Sequence, residues 1–270
     1  LSTLLAQVFT GLVLGMIYVL LAVGLSLIFG LMAVVNFAHG ALFMLGAYFG
    51  VFLLSYTNSF WVALIVAPLM VGALGLLMER FLIRRLYGRS PDDPLLLTFG
   101  LGLMLQRAGA KGGFTIGLGE VEVEWYASLR QMVRGLEKNA FGAYAMYQYP
   151  RLFAFLALTR TGKAMRAYSD NEDLALLSGI NPDRVVMITW ILAATLATIA
   201  GVLYGLDKSF RPFTYFPLLL PIFAAAIVAG IGQPLGAVAG GFVIASIRVL
   251  APWSESGAGD NTSWRDRSAA

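Results

Sequence analysis

GLSLIFGLMAVVNFAHGALFMLGAYFG, residues 24–50, decides what kind of fold this chain can adopt. It carries the protein's single histidine, His39, inside an opening run of 78 residues without one Asp, Glu, Lys or Arg; the first formal charge is Glu79. A run that long and that apolar seeks a bilayer. The polar break Asn36-Phe37-Ala38-His39-Gly40 in its middle is therefore the feature that needs a reason. Polar groups at membrane depth are costly unless they face other protein or a water-filled path.

Working outward, residues 1–78 would form a helix of roughly 117 Å at 1.5 Å per residue. A hydrocarbon core about 30 Å thick requires such a run to fold back at least twice. The polar patch at 36–40 and Ser55-Tyr56-Thr57-Asn58-Ser59 are the natural breaks, which predicts spans at about 4–31, 40–54 and 60–82. The N-terminus has no charged flank or small-residue cleavage site, so 4–30 reads as a mature span. Four arginines, Arg80, Arg84, Arg85 and Arg89, then crowd residues 79–93 and mark that loop as cytoplasmic.

Residues 94–106 are a further span, short at 13 residues, which must extend past Arg107 or be enclosed by neighbours. Residues 107–149 read as an external loop with a short amphipathic helix near 124–138, and 150–159 as an undersized span. Residues 160–184 are the most polar coherent segment. They suggest two short helices, with Thr161 and Asp170 as caps and a Gly179-Ile180-Asn181-Pro182 turn. Residues 185–206 form one good span, and Asp207, Lys208 and Arg211 a short turn. Residues 212–247 are uncharged, too long for one crossing, and broken by Gly230, Gly232, Pro234 and Gly236. The whole reads as an all-α polytopic helix bundle of about seven or eight membrane segments with interrupted helices. Residues 1–253 form the transmembrane body and 254–270 a polar, disordered tail.

Composition agrees: 59% of the residues are hydrophobic and 13% charged, against about 45–50% and 25% in soluble domains. With no cysteine and one histidine, disulfides, thiolate chemistry and a metal site are not expected. The net charge of +4 sits in short loops and reports orientation rather than nucleic-acid binding. There is no phosphate-cradling Gly-x-x-x-x-Gly-Lys-Ser/Thr loop, so the chain is not expected to bind ATP in that way. No Ser/His/Asp set suggests hydrolysis. No carboxylate is expected within the main spans, which argues against a proton-coupled carrier.

Three constellations stand out. Asn36 and His39 either line a substrate path on an interrupted helix, or Asn36 caps the second span. The Gly230–Gly236 break, with Gly232, Pro234 and Gly236, loosely echoes the first interruption, as an internal repeat with a site between its halves would. The 160–184 loop carries apolar residues among charges, which suits docking to a soluble partner as well as a solvated connection. Gly-xxx-Gly pairs at 11/15, 46/50, 201/205 and 236/240 suit closely packed helices.

Three of these stretches resemble a known family. GLSLIFGLMAVVNFAHGALFMLGAY, RTGKAMRAYSDNEDLALLSGINPDRVVMITWILAATLATIAGVLYG and AAAIVAGIGQPLGAVAGGFVIA are similar to signatures of the branched-chain amino acid ABC-transporter permeases of the LivH type, in the hydrophobic amino acid uptake family. The resemblance implies a permease subunit in a bacterial inner membrane, paired with a second permease. Two cytoplasmic ATPase subunits would drive it, and an extracytoplasmic solute-binding protein would deliver the solute. Asn36, His39 and Gly40 then fall near the pathway, and Arg166, Asp173, Leu177, Gly179, Ile180 and Asn181 on the ATPase-contacting loop. No cofactor is implied for the chain itself. Urea and short-amide permeases share these motifs, and a self-sufficient carrier or channel is the rival from another class.

Overall fold

The computed structural model describes residues 2–57, 59–87, 90, 92–110, 151–207, 218–228, 230 and 232–250. The helices are α1 (Ser2–Met32), α2 (His39–Thr57), α3 (Phe60–Phe81), α4 (Asp92–Ala110), α5 (Arg160–Asp170), α6 (Glu172–Leu177), α7 (Pro182–Asp207), α8 (Leu219–Val228) and α9 (Pro234–Leu250). A 3₁₀ turn follows α3 at Ile83–Leu86, and residues 151–158 are helical. Among the described residues there is no strand. Among the described residues, four stretches are long and apolar enough to cross a membrane: Leu14–Met32, His39–Thr57, Phe60–Leu86 and Pro182–Gly205; α8 and α9 are shorter apolar helices. This is an all-α membrane helix bundle.

α1 is its axis. Residues 17–28 are buried without interruption, as expected of a helix apolar all round and enclosed on every side. α9 lies antiparallel along it and makes its largest contact, with α7, α8 and α5 on its other sides. α2 and α3 pack against α7 and against each other. Small residues set these approaches: a Cβ added at Gly46 of α2 would lie 2.5 Å from Thr198 Cα, and one at Gly201 of α7 would collide with the Phe43 carbonyl. Without a hydrophobic drive between helices in lipid, such close packing is what holds the bundle together. Gly46→Ala is therefore expected to cost about 1–3 kcal/mol by overpacking. A lowered thermal midpoint in detergent, with Gly100→Ala unchanged because its Cβ position is open, checks this.

Several expected boundaries shift for identifiable reasons. Ser55–Thr57 belong to α2 rather than a loop, because Ser55 and Thr57 hydroxyls donate to the Phe52 and Leu53 carbonyls of their own helix (2.8 and 2.7 Å). α4 extends past Arg107 to Ala110, as its apolar stretch required; the expected amphipathic helix near 124–138 and the 254–270 tail lie outside the described residues. Gly236 sits inside the first turn of α9, whose first residue is Pro234, a position that favours proline's fixed φ.

Two charges stand where none was expected. Glu79, 2% exposed, lies inside α3, because the helix runs on into the Arg-rich segment. Its Oε1 is 3.4 Å from the Tyr87 hydroxyl. Arg248 lies in the last turn of α9, where its guanidinium donates to the Tyr18 hydroxyl at 2.5 Å. At the same end of the bundle as Glu79, Arg84 pairs with Asp183 at 2.6 Å. The Arg-rich segment and the 160–184 elbow thus share one face.

Candidate functional site

The chain leaves α1 at Ala33, whose φ of +50° is rare for a residue with a Cβ. Its N–H bonds the Phe29 carbonyl at 2.8 Å and closes the helix end. Val34, Val35 and Asn36 are poor helix formers. They carry the chain back beside α1 before α2 starts at His39. The His39 Nε2–H donates to the Leu21 carbonyl at 3.1 Å. A Cβ at Gly24 would lie 3.0 Å from the His39 ring. Leu21 and Gly24 fall near the middle of the Leu14–Met32 stretch, so α2 begins level with mid-span rather than at its end.

The break is held by two helices, α4 and α8. Thr98 of α4, fully buried, accepts from the Phe37 N–H at 3.3 Å and shares its single hydroxyl proton between the Val35 and Leu95 carbonyls, 3.3 and 3.0 Å away. The Phe37 ring packs against Phe99 of α4 and Phe223 of α8, with centroids 5.8 and 5.1 Å apart. A Cβ at Gly40 already meets the Leu219 side chain of α8 at 2.6 Å. Thr98→Val keeps the shape and strands the Phe37 N–H. It is expected to cost about 1–3 kcal/mol, read as a lower thermal midpoint, with Thr98→Ser near wild type.

Asn36 is 0% exposed, and among the described residues neither its Oδ1 nor its Nδ2 has a hydrogen-bond partner. Its backbone carbonyl, not its side chain, receives the His39 N–H at 3.2 Å. The carboxamide therefore does not cap α2. His39 is equally buried, and its Nδ1 is also without a partner among the described residues. A neutral ring donating from Nε2 keeps its lone pair on Nδ1. Thr189 and Thr198, buried in α7, satisfy their hydroxyls on carbonyls one turn back at 2.8 and 2.7 Å. Asn36 and His39 thus place uncharged hydrogen-bonding atoms inside the bundle, as does Ser26 through its Oγ.

The second interruption meets the end of α1. Gly230 and Gly232 have φ of +93° and +83°, and the Gln233 N–H bonds the Gly230 carbonyl at 3.1 Å before Pro234 opens α9. Gly232 abuts Gly30 of α1: a Cβ at Gly30 would lie 2.9 Å from the Gly232 Cα.

The elbow is built from caps one or two residues away from the expected ones. Thr159, not Thr161, caps α5 by accepting from the Gly162 N–H at 3.0 Å. Asn171, not Asp170, caps α6 by accepting from the Leu174 N–H at 2.9 Å. In each case the capping residue is the one whose backbone is extended. α6 ends in paired bonds, Gly179 N–H to Leu176 and Ile180 N–H to Ala175 (3.0 and 3.1 Å), with Gly179 at φ +80°. Asn181 Oδ1 then accepts from the Arg184 N–H at 3.3 Å and restarts the chain as α7 with Pro182 first.

Leu177 is 84% exposed and Leu174 61%, while Ile180 packs against the core. Asp173 lies exposed in the first turn of α6, and Arg166 turns back to donate to the Ala157 carbonyl at 3.2 Å. Burial, and then the Glu172 carboxylate that accepts its hydrogen bond, push the Tyr168 phenol upward. Thr98 was legible only as the lone hydroxyl in PLLLTFGLGLMLQ. Gly30 and Ser169 gave no sequence signal.

Among the described residues, four apolar helical stretches long enough to cross a membrane make this a multi-pass membrane protein. A family model described as the permease component of branched-chain amino acid transport systems matches residues 7–264, and the chain belongs to that family. It is 29% identical to the high-affinity branched-chain amino acid transport permease LivH of Escherichia coli, covering 91% of this chain and 85% of that one. It is 28% identical to BraD of Pseudomonas aeruginosa, a permease of the same description, over 89% and 83%. With LivM of Escherichia coli the identity is 26%, over 87% of this chain and 61% of LivM. No solved structure matches the chain.

Proposed function

We propose that this chain is the membrane-spanning permease subunit of an ABC importer for branched-chain or other hydrophobic amino acids, in the inner membrane of a bacterium. Residues 1–253 form the conduit. A second permease subunit completes it, two cytoplasmic ATPase subunits hydrolyse the ATP, and an extracytoplasmic solute-binding protein delivers the solute. The chain does no chemistry of its own. The observation that carries this reading is the mid-span break. Asn36 and His39 are buried there with unpartnered polar atoms, in a chain whose family comprises permease components.

Asn36, His39 and Gly40, with Gly232, Pro234 and Gly236 of the second interruption, line or shape the path. The Asn36 carboxamide and His39 Nδ1 offer hydrogen bonds without charge, which suits a zwitterion's polar end as it crosses. The elbow docks the ATPase through the exposed Leu177 and Leu174, with Asp173 beside them. Arg166, Gly179, Ile180 and Asn181 shape that elbow. Movement of the elbow on ATP binding and hydrolysis opens the path alternately to each side.

An uncharged carboxamide also suits a neutral amide, so urea and short amides are the competing solutes. Uptake into proteoliposomes holding the chain with its partner subunits tests both points. Labelled leucine is expected to enter only with ATP and the ATPases, and excess isoleucine, not acetamide, is expected to compete. Uptake on a gradient alone would establish a self-sufficient carrier instead.

A further inference from the structure

We infer that Ser169, Gly30 and Gly232 form the joint through which elbow movement reaches the pathway, an inference that rests on the permease reading above. Three elements meet at this point. The Ser169 hydroxyl of α5 donates to the Gly30 carbonyl of α1 at 2.7 Å. Gly30 lies two residues before the end of α1, and the last four carbonyls of a helix have no partner within it. Ser169 thus satisfies an acceptor that the helix itself cannot, and ties the elbow to the central helix.

Gly30 also abuts the second interruption. With no side chain on either residue, the backbones touch. A Cβ at Gly30 would lie 2.9 Å from the Gly232 Cα and carbonyl oxygen, and one at Gly232 would lie 3.0 Å from the Gly30 Cα. Gly232 adopts φ +83° in the turn that opens α9. Three residues beyond Gly30, Ala33 holds its φ of +50° at the start of the stretch that carries Asn36. From the same end, Tyr87 of the Arg-rich segment donates to Met32 Sδ at 3.1 Å.

The mechanical consequence is direct. α5 cannot move away from α1 without releasing the Gly30 carbonyl or drawing it along. Drawing it along shifts the turn before α9 and the strained residue before the break. A single hydroxyl–carbonyl bond at an exposed serine is weak enough to be remade in each cycle, and the touching glycines convert a small shift into movement of both interruptions. Ser169 is thus a positioning residue that acts on the path through Gly30, at a place separate from the exposed leucines of α6.

The test measures ATP hydrolysis and leucine uptake side by side in proteoliposomes holding the chain with its permease, ATPase and binding-protein partners. Ser169→Ala is expected to co-purify with the ATPases and hydrolyse ATP as wild type does, with uptake per ATP reduced about two- to tenfold, the range one hydrogen bond supports. Ser169→Thr, which keeps the hydroxyl, is expected to restore the ratio. Gly30→Ala, which forces the two backbones apart, is expected to remove uptake while hydrolysis continues; if that variant fails to reach the membrane, the serine pair decides.

Wild-type uptake per ATP in Ser169→Ala overturns the joint and leaves the permease reading standing. Equal loss of ATPase recovery and uptake in Ser169→Ala also overturns it, by making the residue part of the docking surface. Wild-type uptake without any ATPase overturns the permease reading itself.

Discussion

Leu177→Asp is expected to abolish recovery of the ATPase subunits with this chain while leaving its membrane abundance unchanged. The side chain is 84% exposed on α6, so the fold loses nothing when it becomes polar. An interface that covers it loses the burial of one leucine, about 1.5–3 kcal/mol, or roughly ten- to hundredfold in affinity. The stranded carboxylate costs more still. Ile180→Asp has a different outcome. Ile180 follows the left-handed Gly179, bonds back to Ala175 at 3.1 Å and packs against the core. A charge there unmakes the elbow itself, so membrane abundance and ATPase recovery fall together. Co-purification scored against immunoblotted membrane content separates the two. Unchanged ATPase recovery with Leu177→Asp would remove the docking role from α6.

Asn36→Leu is expected to raise stability and remove transport. The carboxamide is fully buried with both polar atoms unpartnered, an arrangement that costs about 1–3 kcal/mol relative to an apolar group of similar shape. Leucine matches asparagine in side-chain heavy-atom count and branching and needs no partner. The thermal midpoint in detergent should therefore rise, while leucine uptake falls about tenfold or more, the effect of losing hydrogen bonds made only to the passing solute. A structural role predicts the opposite pairing, with stability and uptake falling together. Stability given up for function is what residues kept for their activity show.

The helices were legible because charge and apolarity change abruptly at their ends. The opening uncharged run and its two polar breaks place α1, α2 and α3 within a few residues of the structure. The second interruption was legible for the same reason, since four Gly and Pro residues fall in an uncharged run. What did not show was every feature made by contact between distant residues. Thr98 holds the break from 61 positions away, and Ser169 reaches Gly30 across 139. The meeting of Gly30 and Gly232 leaves no periodic trace.

Local chemistry misled in three places. Thr161 and Asp170 are good capping residues, but each lies inside α5 as it folds, and a cap needs extended backbone rather than only the right side chain. Ser55 and Thr57 look like loop residues, yet both bond their own helix and prolong it. Glu79 reads as a loop residue by its charge, but the helix runs on and buries it.

Labelling of a single thiol on the elbow tests the central claim most directly. The chain has no cysteine, so Leu177→Cys supplies a unique target. A membrane-impermeant maleimide is expected to modify it in inside-out vesicles and not in right-side-out vesicles. Bound ATPase subunits are expected to protect it. Modification from the outer face, or full modification with the ATPases bound, would contradict a conduit driven through an inward-facing elbow.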